Sequence, residues 1–237
     1  MSGMRRRTIR LRLFAVAFFF AWVLFALYPR PSDLVKSVYR VFSPPVDGGY
    51  AVSFAHLFAD MDEPVDIETQ VESVFAYQYD WVTYDLPWYY PTVEEAFDRM
   101  AGDCKTQLVV LASVLESRGI PYTIRVSPTH VWVDYEGKPQ SRVESAELAI
   151  FTSPAGNQGE STVTSEGPLS RPEHFDMARS FEVFWVAFWD YMPTDRKISL
   201  AVGLFISVLL FAFSGIGLSP VIDVSLLPDR RPAADLQ

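Results

Sequence analysis

The chain has 237 residues, 49% of them hydrophobic, and a formal net charge of −9 at pH 7. That length holds one soluble domain of ordinary size beside membrane segments. The acidic balance argues against a nucleic-acid partner, which needs a basic stripe, and the single cysteine excludes an intramolecular disulfide.

Residues 1–10 form a basic N-terminus with Arg5, Arg6, Arg7 and Arg10. An uncharged apolar run from Leu13 to Tyr28 follows, and with its flank it predicts a membrane helix over 11–28, near the ~20 residues that a bilayer requires. The rival reading, a cleaved secretory signal, has the basic start but lacks an A-x-A-like site, because the run ends Leu27-Tyr28-Pro29-Arg30. An uncleaved anchor is expected. A second uncharged run, 198–218, predicts another span. Five arginines, Arg12 included, precede the apolar run that starts at Leu13, and Arg230 and Arg231 follow the second span in a tail over 219–237. The positive-inside bias then puts both termini in the cytoplasm and the intervening segment outside the cell membrane. From Arg30 to Lys197 that segment carries 13 Lys and Arg against 26 Asp and Glu.

Between the spans, 29–63 reads as a connector without assigned structure. Ile67, Val71, Val74 and Phe75 recur at helical spacing and predict a helix over 66–79. The aromatic run YDWVTYDLPWYYP is broken by Pro87 and Pro91. Thr92 with Glu95 three residues on is a capping box for a short helix to about Met100. The next helix is capped by Gly102 or Asp103 and closed by Arg118-Gly119, with Leu108, Leu111, Ala112 and Leu115 on one face. Alternation predicts strands over 122–126 and 129–135, a turn at Glu136-Gly137-Lys138-Pro139, and a third strand over 142–151. Residues 153–172 read as a mobile Gly/Ser/Thr/Pro linker. The aromatic stretch 173–192 reads as an interfacial or docking helix ahead of the second span.

Chemistry concentrates at Cys104, in the first turn of a helix, where free backbone N–H groups and the helix dipole stabilise a thiolate. Cys104 lies four residues before Leu108 and seven before Leu111, on the inward face, aimed at the following strands. His130 is on one of them. A hairpin centred near Gly137 places Glu144 opposite His130, Cβ atoms roughly 5 Å apart. Asp134 shares the strand and face of His130 but stands about 13 Å along it. Glu144 is therefore the expected orienter of the imidazole. His56 and His174 read as packing residues, Asp60-Met61-Asp62-Glu63 as a solvated acidic turn without calcium-loop spacing, and Trp132 as support for the histidine strand. Trp88 is a possible cleft residue. No cofactor or metal site is expected.

The run PTVEEAFDRMAGDCKTQLVVLASVLESRGIPYTIRVSPTHVWVDYEG resembles the core of the transglutaminase-like superfamily. The matching features are a G-D-C helix start, a G-I-P strand entry and an H-x-W-x-(D/E) strand, within a resemblance covering about 64–151. It implies an α+β fold with a papain-like core, in which a cysteine at a helix N-terminus packs on an antiparallel sheet, flanked here by two transmembrane helices. It implies further that Cys104 is a nucleophile and His130 its base, with Glu144 where the family usually has Asp. Acyl transfer from a peptide or Gln amide through a thioester follows, the partners being a peptide or protein substrate and the lipid bilayer. Hydrolysis is slightly favoured over cross-linking, since water needs no second binding site. The alternatives are a non-catalytic binding or assembly module of the same fold, and a membrane scaffold without chemistry, for which Ser199 and Gly203 are spaced for helix contact.

Overall fold

A computed structural model describes residues 2–127, 130–139, 144, 149–154, 162–163 and 177–214. In chain order, α1 (Ser2–Leu27) leads to α2 (Pro31–Phe42), α3 (Gly48–Val52), a 3-10 turn over Ala55–Phe58 and α4 (Pro64–Val74). Strand β1 (Ala76–Tyr77) and the short helix α5 (Asp80–Thr83) precede α6 (Val93–Arg99), β2 (Ala101–Gly102) and α7 (Cys104–Ser117). Strands β3 (Tyr122–Val126), β4 (Val131–Tyr135), β5 (Phe151–Pro154) and β6 (Thr162–Val163) follow. Helix α8 (Met177–Trp185), a π-helical turn over Val186–Asp190 and α9 (Thr194–Phe213) complete the described chain. The architecture is α+β.

The chain divides into two compact units, Val23–Leu200 and the remainder. In the remainder lie most of α1 and α9, and each of these helices is long and apolar enough, over Thr8–Leu27 and Thr194–Phe213, to cross a membrane. Their side chains stay largely unburied, Phe20 and Phe205 among them. Gly203 is small for a reason: a Cβ there would lie 2.0 Å from Cδ1 of Trp22. The second apolar helix starts earlier than expected, at Thr194, and Gly215 to Leu218 and the tail lie outside the described residues.

The unit Val23–Leu200 is built around α7. Leu108, Val109, Val110, Leu111, Ala112, Val114 and Leu115 are all buried, so α7 is enclosed on every side rather than half-exposed. Helices α3, α4 and α6 pack against it, as do β3 and β4. The connector reading of 29–63 gives way here, because Ala51 and Phe58 belong to this core. Arg118, at the C-terminus of α7, donates to the carbonyls of Phe58 and Met61 and ties that segment down. Helix α4 stops at Val74, short of the expected 79, because Phe75 turns to extended backbone and buries its ring. Ala76 and Tyr77 then pair in parallel with Ala101 and Gly102. Thr92 and Glu95 form the reciprocal capping box, with Glu95 N–H to Thr92 Oγ1 at 3.2 Å and Thr92 N–H to Glu95 Oε2 at 2.8 Å. Gly119 adopts φ +68° where α7 ends, the left-handed conformation that glycine takes without a Cβ penalty.

The main sheet has the order β4-β3-β5-β6, antiparallel throughout. Ile124 of β3 faces Val133 on one side and Ser153 on the other. The described strand after the turn, β5, pairs with β3 and not with β4; Glu144 lies outside the described strands. Most of the expected strand 142–151 lies outside the described residues. Ser153, Pro154, Thr162 and Val163, expected in the linker, belong to strands. The rest of that linker lies outside the described residues.

Candidate active site at the start of α7

Cys104 is the first residue of α7, and Asp103 is its N-cap, accepting from the Lys105 N–H at 3.0 Å. The approach to the helix is tight: a Cβ on Gly102 would lie 2.0 Å from Thr106 Oγ1. Lys105 is buried between two carboxylates, its Nζ 2.9 Å from Asp80 Oδ2 and ion-paired with Asp103 Oδ2 as well. Asp80 Oδ2 also accepts the Tyr89 N–H at 2.7 Å. Burial opposes the Lys105 charge, but the two carboxylates hold it well above the ordinary lysine range. The trio fastens the start of α7 to α5 and the aromatic run. The buried cation also shares the negative charge that Asp103 places next to the sulfur.

His130 sits at the entry to β4, where its N–H donates to Ser127 Oγ at 3.0 Å and its carbonyl accepts from the Ser127 N–H at 2.8 Å. These bonds close the end of the β3–β4 pair and fix the backbone of the histidine. Its ring stacks on buried Trp132, centroids 5.9 Å apart at 11°. Nε2 of His130 lies 2.9 Å from Glu144 Oε1. Cys104 lines the same pocket as the ring, on the inward face of α7. Burial works against the imidazolium, but hydrogen bonds and charge from Cys104 and Glu144 lift His130 to about 9. The sign follows from linkage: the folded value exceeds the unfolded 6.5, so the stabilisation is complete below about 6.5 and is lost as pH rises through about 9.

Glu144 is held from a second side. Lys138 Nζ lies 3.1 Å from Glu144 Oε2, 2.6 Å from Glu68 Oε1 and 2.8 Å from the Val133 carbonyl. Burial pushes the Glu144 carboxyl up, yet His130 and Lys138 together bring it below the usual glutamate value. Asp134 is engaged elsewhere, 2.8 Å from Arg125 Nε on β3. The three sequence candidates Cys104, His130 and Glu144 thus meet at one place.

A cavity of about 520 Å³ opens beside Cys104 and His130, walled by aromatic side chains including Tyr28, Tyr77, Trp88, Phe184 and Phe188. Trp88 is thus a cleft residue, its carbonyl accepting from the Tyr28 hydroxyl at 3.0 Å. Among the described buried polar atoms, the Tyr90 hydroxyl and Asp80 Oδ1 have no hydrogen-bond partner, and both residues line this cavity. His56 packs on Phe54, ring centroids 6.5 Å apart, and His174 lies outside the described residues. Among the described residues, no group of three or more His, Cys, Asp or Glu side chains could hold a metal ion. Sequence reasoning missed Asp80, Lys105 and Lys138, whose ion pairs Asp80–Lys105 and Glu68–Lys138 join residues far apart in the chain, and the buried Tyr90 hydroxyl, which no local pattern marks.

No protein-family model matches the chain, and no characterised protein matches it significantly.

Proposed function

We propose that this chain is a membrane-anchored cysteine enzyme with a transglutaminase-like core, performing acyl transfer on peptide or Gln amides. The observation that carries this reading is that Cys104, at the start of a helix, lines one pocket with His130 and Glu144, and that His130 Nε2 lies 2.9 Å from Glu144 Oε1. The Cys104 thiolate attacks the amide carbonyl carbon and forms a C–S bond, while the carbonyl electrons move to oxygen. The N–H of Cys104, as the first residue of a helix, lacks an intrahelical partner and is available to that oxyanion. The unpartnered Tyr90 hydroxyl is the second donor. His130, protonated at neutral pH, gives its proton to the departing nitrogen as the C–N bond breaks. Water then attacks the thioester, His130 takes its proton, and the thiolate leaves with release of the acid. Glu144 orients the ring through Nε2 and stabilises the imidazolium. Capture of an acyl group on Cys104, dependent on His130, tests this reading.

In the same proposal α1 and α9 span the cell membrane, both termini are cytoplasmic, and the domain between them is extracytoplasmic; the arginine bias supports this orientation. Glu136→Cys in a Cys104→Ala chain, placed in the exposed turn after β4, is expected to react with a membrane-impermeant maleimide added outside intact cells. Labelling only after the cells are opened contradicts that orientation.

A further inference from the structure

Helix α2 has its polarity turned inside out. Asp33 and Ser37 are 5% and 0% exposed and point into the protein, where Ser37 Oγ accepts the Tyr90 N–H at 3.2 Å. Arg40, on the same face, donates to the Tyr90 carbonyl at 2.6 Å and pairs with Glu95 at 3.2 Å. The opposite face carries Val35, Val38, Tyr39 and Phe42, which are 68%, 46%, 68% and 60% exposed. These four fall at i, i+3, i+4 and i+7, one continuous apolar stripe, whereas a helix facing water carries its polar residues there.

Its place in the chain says what covers the stripe. Only Tyr28, Pro29 and Arg30 separate the end of α1 from Pro31. Four peptide steps reach at most about 14 Å, so α2 begins within the interfacial layer if α1 spans the bilayer. Lys36 and Arg30 are exposed beside the stripe, 57% and 80% by side chain, placed as the cationic flanks of helices that lie in a headgroup layer. The other end of the domain repeats the pattern, since exposed Phe181, Phe184, Trp185, Trp189 and Tyr191 immediately precede α9. We infer that α2 lies in the plane of the membrane, with Val35, Val38, Tyr39 and Phe42 sunk among lipid acyl chains on the side where α1 emerges. This rests on the membrane-anchor reading. Val41, from the same helix, lines the aromatic cavity, so the cavity is served at the bilayer surface.

The test is nitroxide accessibility in the full chain with Cys104→Ala, reconstituted in phosphatidylcholine–phosphatidylglycerol vesicles. Spin labels go on Val35→Cys, Tyr39→Cys and Phe42→Cys, with Phe20→Cys in α1 as the lipid reference and Glu136→Cys as the water reference. Collisions with oxygen are expected to exceed those with a water-soluble nickel complex at 35, 39 and 42, as at 20 and the reverse of 136. Nickel access at 35, 39 and 42 equal to that at 136, with 20 still lipid-like, overturns the proposal alone. Spin–spin broadening at these sites that vanishes on dilution with unlabelled chain overturns it too, assigning the stripe to a second copy. Water exposure at 20 overturns the anchor reading, and this inference with it.

Discussion

Glu144→Gln is expected to lower turnover by up to about 10⁴-fold, the loss that the matching Asp→Asn change causes in a serine-protease triad. The amide keeps the shape and one acceptor oxygen but not the charge. It cannot stabilise the imidazolium, and an N–H turned toward Nε2 favours the wrong tautomer. Glu144 Oε2 also loses its ionic attraction to Lys138, 3.1 Å away, but Lys138 keeps Glu68 and the Val133 carbonyl. The fold is therefore expected to survive and KM to change little. Asp134→Asn is the internal control, because that carboxylate is tied to Arg125 and makes no bond to the ring. Its cost is expected to stay below about tenfold, roughly 1.4 kcal/mol. Steady-state kinetics of the two variants side by side decide the matter: a crippled Asp134→Asn with a silent Glu144→Gln assigns the orienting role to the wrong carboxylate.

Tyr90→Phe is expected to slow acylation of Cys104 by about 10²–10³-fold, the usual effect of removing one oxyanion donor. The change should not lower thermal stability. The hydroxyl is buried without a partner, and removing an unpaired buried polar group is neutral or stabilising, whereas removing a bonded one costs about 1–3 kcal/mol. The two readouts together separate catalysis from packing. Release of 4-nitrophenolate from 4-nitrophenyl acetate measures the first and a thermal melt the second. A wild-type acylation rate contradicts the donor role, and a destabilised protein shows that the hydroxyl is bonded.

What the sequence made legible were elements whose signals are local. Thr92 and Glu95 stand three residues apart and cap α6 as read, while Asp103 and Gly119 bound α7 within one residue of expectation. Strand alternation at Tyr122, Ile124 and Val126 marks β3 because every second side chain is buried. Glu144 instructs differently. Its contact with His130 is the one the hairpin spacing predicts, whereas the described strand that follows, β5, crosses to the far side of β3. Sequence separation narrowed the choice of residue without fixing the path of the chain. Helix α2 escaped notice because periodicity reports a stripe but not what the stripe faces. Here its buried side is Asp33, Ser37 and Arg40; Ser37 and Arg40 are satisfied by groups about fifty residues away, and Asp33 pairs with Arg30 and Lys36 beside it. The Asp80–Lys105–Asp103 trio was illegible for a related reason. A buried ion pair is defined by three-dimensional proximity, and its members look like ordinary surface charges in the sequence.

The central claim is that Cys104 is a nucleophile activated by His130, and intact-mass analysis after exposure to 4-nitrophenyl acetate tests it most directly. With the full chain in detergent, one acetyl group is expected on Cys104, removable by neutral hydroxylamine as a thioester is. It should be absent in Cys104→Ala and at least about 10²-fold slower to form in His130→Ala, at the low end of what a general base contributes. Equal acetylation of the native and unfolded chains, or no dependence on His130, would contradict an active site at the start of α7.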